Sequence, residues 1–191
     1  SALKKAIGFS TKRSVPKLSR ITLNRWVNNG IPLPENESKG KVYLFNDEFT
    51  NYNESDIGIK AILLLTKLGY EVKIPLHRES GRTFLSKGLV RMSKKIATEN
   101  VNLLKDIISE KTPLVGIEPS AILAFRDEYP DLVDKDLQTA ATELGKNALL
   151  FEEFIATEIE KGNITSEQFT SETKEILLHG HCQQKAVAST E

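Results

Sequence analysis

The residues best suited to chemistry lie near the C-terminal end of the 191-residue chain. His179, His181 and Cys182 fall within four positions, directly after the apolar residues 176–178. Such an apolar run predicts a short buried strand, and open α/β sheets place their binding sites just past the carboxyl ends of strands. We therefore expect a site at this strand end. Because the chain ends nine residues after Cys182, we expect the partners of this site to lie outside it.

The composition argues against several classes of protein. The chain has 26 basic and 26 acidic residues, whereas a nucleic-acid or anionic-membrane surface needs a basic excess. The longest apolar run, residues 61–65, is too short to span a bilayer. The chain lacks a signal-peptide pattern, and its single cysteine cannot form an internal disulfide. We therefore expect a cytoplasmic protein without a membrane span.

Short apolar runs alternate with helical patterns over residues 41–191. Runs at residues 41–46, 71–75, 112–117 and 176–178 predict four strands, and continuous apolar runs are typical of parallel strands buried on both faces. The apolar spacing predicts helices at residues 55–68, from residue 83 with a break near residue 98, and at residues 134–145 and 150–159. The fold class is α/β: a short, mostly parallel sheet of about four strands flanked by helices in three layers, Rossmann- or flavodoxin-like. In the first of these helices we expect Leu64 to be buried against the sheet.

Residues 1–40 differ from the rest, because they are rich in lysine and arginine and end in a segment with two prolines. We interpret them as a basic linker with one short helix near residues 22–29. We expect Trp26 to pack on the domain, since aromatic side chains contribute much packing energy.

Four loops should meet at one edge of the sheet, because all strands of a parallel sheet end on the same side. These are residues 47–55, 77–82, 118–121 and 179–184, and they contain all three histidines. The polar residues that they gather are Asp47, Glu48, His77, Glu79, Ser80, Arg82, Glu118, Ser120, His179, His181 and Cys182.

The chemistry of this edge stays open at this point. The histidines are either hydrogen-bonded loop residues or, with Cys182, ligands of zinc or iron. A third interpretation makes Cys182 a nucleophile with His77 or His179 as its partner. We expect Ser120 to cap a helix, and Arg82 to form an ion pair with Glu79 or Glu118.

Six blocks of the sequence resemble successive parts of one module. It is the cysteine-rich (CCG) C-terminal region of FAD-linked oxidases of the glycolate oxidase and D-lactate dehydrogenase type. That region is similar to the cysteine-rich subunit of heterodisulfide reductase and to the iron–sulfur subunit of anaerobic glycerol-3-phosphate dehydrogenase. The blocks are residues 45–52, 79–88, 118–123, 125–132, 150–154 and 179–186.

In that family the module occurs in two copies, each of which holds an iron–sulfur cluster through a first cysteine, a Cys-Cys-Gly and a later Cys-x-x-Cys. Here residues 79–81, Glu-Ser-Gly, stand in place of Cys-Cys-Gly, and Glu118 and Ala121 stand in place of the later pair. The loop at Asp47 lies near the place of the first cysteine. The resemblance implies a first copy that has lost its cluster. It also implies that Cys182 is a candidate iron–sulfur ligand, the first cysteine of a second copy with partners beyond Glu191.

The resemblance further implies a parent enzyme that oxidises a 2-hydroxy acid with FAD and passes electrons through iron–sulfur clusters. The domain at residues 41–191 would be structural or an electron-transfer docking surface, with no cofactor and no catalytic residue of its own. Its partners would be the remaining domains of the parent and an electron-transfer partner, and any membrane contact would be peripheral, through the parent complex. Two other hypotheses remain: a small metal-dependent enzyme that uses His77, Glu118, His181 and Cys182, and a pure interaction module.

Overall fold

A four-stranded parallel sheet lies at the centre of the computed structural model, which describes residues 2–189. The strand order is β2-β1-β3-β4, and each neighbouring pair is parallel. This order matches the first four strands of a flavodoxin-like sheet, in which the direction of winding reverses between β1 and β3. The predicted α/β class with a short parallel sheet is confirmed. The strands are β1 (Gly40–Phe45), β2 (Tyr70–Lys73), β3 (Leu114–Gly116) and β4 (Ala148–Leu150).

Helices connect and cover these strands. Two single turns of 3₁₀ helix, Leu123–Phe125 and Ser166–Gln168, accompany them. The α-helices are α1 (Ala2–Ala6), α2 (Leu23–Val27), α3 (Glu48–Tyr52), α4 (Ser55–Lys67), α5 (Arg82–Leu85), α6 (Val90–Leu104), α7 (Pro119–Ile122), α8 (Glu128–Leu132), α9 (Lys135–Lys146), α10 (Phe151–Glu160) and α11 (Cys182–Val187).

Two hydrophobic cores lie on opposite faces of the sheet. Val42 and Leu44 of β1 pack with α2, α4 and α10 in one core. Phe45 packs with α6 and α9 in the other, and Tyr43 lies against that second core. Successive side chains of a strand point to opposite faces, so an apolar residue at every position requires helices on both sides. The result is the three-layer arrangement that the continuous apolar runs predict.

The fourth strand is β4, and the predicted strand at residues 176–178 is wrong. That segment lies outside regular secondary structure, and Leu177 is 98% exposed. The free edge of β4 offers it no place, because side chains already occupy main-chain groups there. Arg126 Nε donates to the carbonyl of Ala148 (2.7 Å), and the amide of Leu150 donates to Glu153 Oε2 (2.9 Å). An edge closed in this way does not extend the ladder of hydrogen bonds.

The helical pattern after residue 83 is split at residues 86–89 rather than near residue 98. The turn contains Gly88 with φ +74°, a left-handed conformation that glycine adopts without steric cost. Helix α6 then runs without a break from Val90 to Leu104.

The basic N-terminal segment contributes to the first core. Its predicted short helix is α2, which Thr22 caps by accepting a hydrogen bond from the amide of Arg25 (3.2 Å). Leu23 is completely buried in that core, and Trp26 packs against it as expected. The domain boundary at residue 40 stays a prediction. Among the helices of residues 2–189, none is both long and apolar enough to cross a bilayer.

The structure corrects the expected orientation of α4, and the correction gives a test. Leu64 is 37% exposed, whereas Leu65 is completely buried against the sheet. We expect Leu65→Asp to lower the free energy of unfolding by about 3 kcal/mol or more, because it buries an unpaired charge, and Leu64→Asp to lower it by less than about 1 kcal/mol. Urea unfolding followed by circular dichroism measures both. Equal losses in the two variants would show that α4 is oriented differently.

Candidate functional site

The loops that follow β1 and β2 are joined at the carboxyl edge of the sheet. The main-chain amide of Asn46 donates to Nε2 of His77 (3.3 Å). Ser80 donates to both carboxylate oxygens of Glu48, from its amide (2.9 Å) and from its hydroxyl (2.7 Å). The structure therefore brings together the predicted site residues of these two loops. We call the carboxyl edge of the sheet, residues 46–48, 76–82 and 117–121, the strand-end rim.

Asp47 is a buried carboxylate at the end of β1. It caps α3 by accepting hydrogen bonds from the amides of Phe49 (2.8 Å) and Thr50 (2.9 Å) and from the Thr50 hydroxyl (2.6 Å). Burial raises its pKa to about 6, and the nearby charge of Glu48 adds to this, although the hydrogen bonds to Thr50 and Phe49 oppose it. Asp47 thus works as a structural cap whose charge is costly.

Both ring nitrogens of His77 are already in use. Because Nε2 accepts from Asn46, the proton lies on Nδ1, which is 2.6 Å from the carbonyl oxygen of Arg78. The ring packs against Phe45 with a centroid distance of 4.6 Å. Burial lowers the pKa of His77 and favours the neutral form. This side chain therefore matches the interpretation of a hydrogen-bonded loop residue.

A polar network anchors residues 79–81 in the body of the protein. The Tyr129 hydroxyl donates to the carbonyl of Ser80 (2.9 Å), and Asn100 Nδ2 bonds to Tyr129 Oη (2.9 Å) and to the carbonyl of Glu79 (3.0 Å). Gly81 has φ +75° and lies against Ile96, where a Cβ would come within 3.2 Å of a methyl carbon. Glycine is needed here, because the left-handed conformation is unfavourable for other residues.

The expected ion pairs of Arg82 with Glu79 or Glu118 are wrong. Arg82 instead pairs with Glu128 at the start of α8, and both side chains are partly buried. Burial raises the pKa of Glu128, and the charge of Arg82 acts in the opposite direction. The pair links the loop after β2 to α8 rather than to the loop after β3.

Glu118, rather than Ser120, caps α7. Its Oε1 accepts hydrogen bonds from the Ser120 amide (3.3 Å) and hydroxyl (2.7 Å), so the expected capping role of Ser120 is wrong. His181 approaches the same carboxylate, with Nε2 3.8 Å from Glu118 Oε1. The C-terminal segment therefore reaches the strand-end rim, although no strand delivers it there.

The other predicted site residues of this segment, His179 and Cys182, face solvent. Cys182 is exposed in the first turn of α11, and His179 is exposed in the coil before it. His181 Nδ1 accepts from the amide of Gln183 (3.1 Å), and Gln184 anchors the helix by donating to Glu152 (2.9 Å). His181 contacts Glu118, whereas His77 contacts Asn46 and Arg78, so the two histidines have no partner in common.

The residues at the positions implied for an iron–sulfur cluster do not fit one. Ser80 and Glu118 present oxygen atoms, and Ala121 presents a methyl group that is completely buried in a core. A cluster of this kind requires thiolates, and the sequence has only Cys182. Within residues 2–189, no three His, Cys, Asp or Glu side chains are grouped so that they hold a metal ion.

Sequence reasoning missed Asn100 and Tyr129, which position the loop after β2. Asn100 lies on the buried face of α6, as does Ser93 two turns earlier, whose hydroxyl donates to the carbonyl of Gly81 (3.0 Å). Polar residues on a mostly apolar helix face were the available signal, because buried polar groups are nearly always hydrogen-bonded.

The raised pKa of Asp47 predicts how stability depends on pH. The folded-state pKa of about 6 lies above the ordinary 3.8. The contribution of Asp47 to the stability of the folded protein is therefore complete below about pH 4 and is lost as the pH rises through about 6. Asp47→Asn keeps a capping oxygen without the charge, so the variant should gain stability relative to the natural protein over this range, by at most about 3 kcal/mol. Urea unfolding of both proteins at several pH values measures this gain. A difference that does not change with pH would contradict the assignment.

Comparison with known proteins finds distant relatives among dehydrogenases. One subunit of the anaerobic glycerol-3-phosphate dehydrogenase of Escherichia coli (strain K12) is 28% identical over 134 residues, which are 69% of this chain and 33% of that protein. D-2-hydroxyglutarate dehydrogenase of Pantoea ananatis is 29% identical over 101 residues, 53% of this chain and 10% of that protein. The enzyme of the same name from E. coli (strain K12) is 25% identical over 142 residues, 74% of this chain and 13% of that protein.

The chain therefore spans a third or less of the length of these relatives. No protein-family model matches it, and no solved structure shows significant similarity to it.

Proposed function

We propose that this chain is part of a larger FAD-linked, iron–sulfur oxidoreductase that oxidises a 2-hydroxy acid, in which its domain has a structural or docking role. Two findings support the wider assignment. The relatives are named as dehydrogenases of glycerol-3-phosphate and of D-2-hydroxyglutarate, and the chain spans only a small part of each. Flavin, substrate site and clusters would then belong to the other parts of the parent enzyme.

The observation that carries the structural role is the network of oxygen atoms at the strand-end rim. Ser80 and Glu118 stand at positions where the resemblance implies cluster ligands, and each forms internal hydrogen bonds, Ser80 with Glu48 and Glu118 with Ser120. Hydrogen bonds of this kind stabilise the loops that they belong to. They support a structural role for the rim.

Exposed apolar side chains beside the rim support docking. Leu76 in the loop after β2 is 77% exposed, and neighbouring residues on α3 and near the start of α6 are also exposed. Exposed apolar residues that cluster beside a polar site favour an interaction surface over a surface that faces only solvent. The exposed apolar residues of these segments are Phe49, Tyr52, Leu76, Leu89, Val90 and Met92. Tyr52 and Met92 line one cleft, and Leu89, Val90 and Met92 line another.

Cys182 is accessible, as a cluster ligand shared with another part of the protein must be. It is exposed on α11, next to His181, which contacts the strand-end rim through Glu118. In the parent enzyme it would supply one thiolate to a cluster whose other ligands come from other parts of the protein.

Isolation from the native source tests the wider assignment. An antibody against this chain should recover it, under anaerobic conditions, as part of a larger polypeptide or complex that contains flavin and oxidises a 2-hydroxy acid with an artificial electron acceptor. Recovery of the chain by itself, free of flavin and without this activity, would refute the proposal.

Iron reconstitution tests the role of the domain. The purified chain, incubated anaerobically with ferrous iron and sulfide and then desalted, should retain no cluster absorbance, and Cys182→Ser should behave identically. Because Cys182 is exposed, this substitution should also leave the melting temperature nearly unchanged, within about 2 °C. Stoichiometric bound metal that is lost in Cys182→Ser would instead favour the small metal-dependent enzyme.

A further inference from the structure

An apolar cleft lies at the turn between α5 and α6. Its volume is about 500 Å³, and it is lined by residue 84 and residues 88–92. Two main-chain hydrogen bonds hold the turn, since the carbonyl of Phe84 accepts from the amides of Lys87 (3.0 Å) and Leu89 (3.0 Å). Leu89 and Val90 are each about half exposed. The cleft is therefore a preformed apolar surface that is open to water.

The surroundings of this cleft are strongly basic. Residues 80–98 include five basic residues and no acidic residue, although the whole chain has 26 of each. Arg82 and Lys94 form ion pairs with acidic residues of other elements. Among the ion pairs of residues 2–189, none includes the other three basic residues, which are exposed: Lys87, Arg91 and Lys95. The cleft thus fits an apolar segment with acidic residues beside it.

Residues 171–178 of the same chain have this chemistry. The apolar residues 176–178 are 81%, 98% and 74% exposed, and two glutamates precede them. Glu172 pairs with Lys174 (3.3 Å), whereas no ion pair within residues 2–189 includes Glu175. The segment lies outside regular secondary structure and does not line the cleft of its own chain.

The charge of the whole chain permits two copies to associate. Its net charge is zero, so no long-range repulsion keeps two copies apart. A contact in which each copy gives its segment to the cleft of the other is twofold symmetric. Such a contact is complete after two copies, and the assembly is then a dimer.

We propose that two copies of this chain associate through a reciprocal contact, in which residues 176–178 of each copy fill the apolar cleft of the other. In this contact Glu175 forms an ion pair with Arg91 of the second copy. The proposal rests on the docking role of the domain, because it names a partner for one part of the exposed apolar surface beside the rim. It does not depend on flavin, substrate or iron–sulfur chemistry.

Sedimentation velocity of the purified chain over a range of concentrations tests the association. We expect a monomer–dimer equilibrium with a dissociation constant on the order of 100 µM, because two weak contacts act together. Raising the salt concentration to about 0.5 M should weaken the dimer a few-fold, since it screens the ion pairs. A chain that stays monomeric up to about 1 mM would overturn the proposal. Assemblies larger than a dimer would overturn it as well, because a reciprocal contact closes with two copies.

Three variants with one substitution each locate the contact. Leu177→Lys should weaken the dimer at least about tenfold, because it places a charge in the apolar cleft. Val90→Glu should do the same without loss of folding, since an acidic residue in the first turn of a helix is favourable. Leu18→Lys changes a leucine of similar exposure, 76%, in the N-terminal segment and should leave the dimer unchanged. Unchanged association in Leu177→Lys or Val90→Glu, or equal loss in Leu18→Lys, would overturn the proposal.

An exchange of charges tests the ion pair. Arg91→Glu should weaken the dimer about fivefold, because it places two acidic residues together. The double variant Arg91→Glu with Glu175→Arg restores opposite charges in both contacts and should recover most of the association. Association that is not recovered in the double variant would overturn the proposal.

A peptide of residues 171–179 separates a second copy from other partners. Titrated into the ¹⁵N-labelled Leu177→Lys chain, it should shift the amide signals of residues 84–92 saturably, with a dissociation constant of about 1 mM. The same peptide with lysine at position 177 should not. A peptide that binds to a chain which never dimerises assigns the cleft to a segment of another polypeptide and overturns the second copy. A dimer recovered without flavin would keep this contact and refute the proposed parent enzyme, whereas a flavin-containing complex without the dimer would do the reverse.

Discussion

Burial of both faces of one short parallel sheet is the constraint on which the rest of this structure depends. Val42 and Leu44 require helices on one side of β1, and Phe45 requires them on the other. The same packing helps to position the strand-end rim, because Phe45, the last residue of β1, contacts the ring of His77 and the ring of Phe125. The position of the loop after β2 is therefore decided in the core as much as at the surface.

Hydrogen bonds between oxygen and nitrogen atoms hold the strand-end rim in place. Asn100 is central to this, since its side chain bonds to the Arg78 amide, the Glu79 carbonyl and the Tyr129 hydroxyl, and so ties α6 and α8 to one loop. A buried network with each member satisfied holds a single geometry, whereas a half-satisfied one is costly. Asn46 Oδ1 departs from this pattern among the described residues of the rim, because it is buried and accepts no hydrogen bond from them.

The sequence predicted the first three strands, both flanking layers and the meeting of the loops at Glu48 and His77, because each follows from a local apolar run and the parallel geometry. It could not predict β4. The three residues Ala148–Leu150 continue directly into the apolar face of α10, so their pattern is typical of a helix. The apolar spacing also does not indicate that Arg126 and Glu153 bond to β4, since Arg126 lies 22 positions before the residue that it contacts. For the same reason the ion pair of Arg82 with Glu128 was missed.

The two apolar runs at residues 148–150 and 176–178 have similar compositions but different environments. Residues 148–150 form the edge strand of the sheet, whose free side Arg126 and Glu153 close, whereas residues 176–178 stay exposed outside regular secondary structure. Exposed aliphatic side chains of this extent are unfavourable in water, and contact with another polypeptide surface would remove them from it. A docking role accounts for this segment and for the apolar residues beside the rim together. The hypothesis of a small metal-dependent enzyme accounts for neither, because it assigns a purpose only to His77, Glu118, His181 and Cys182.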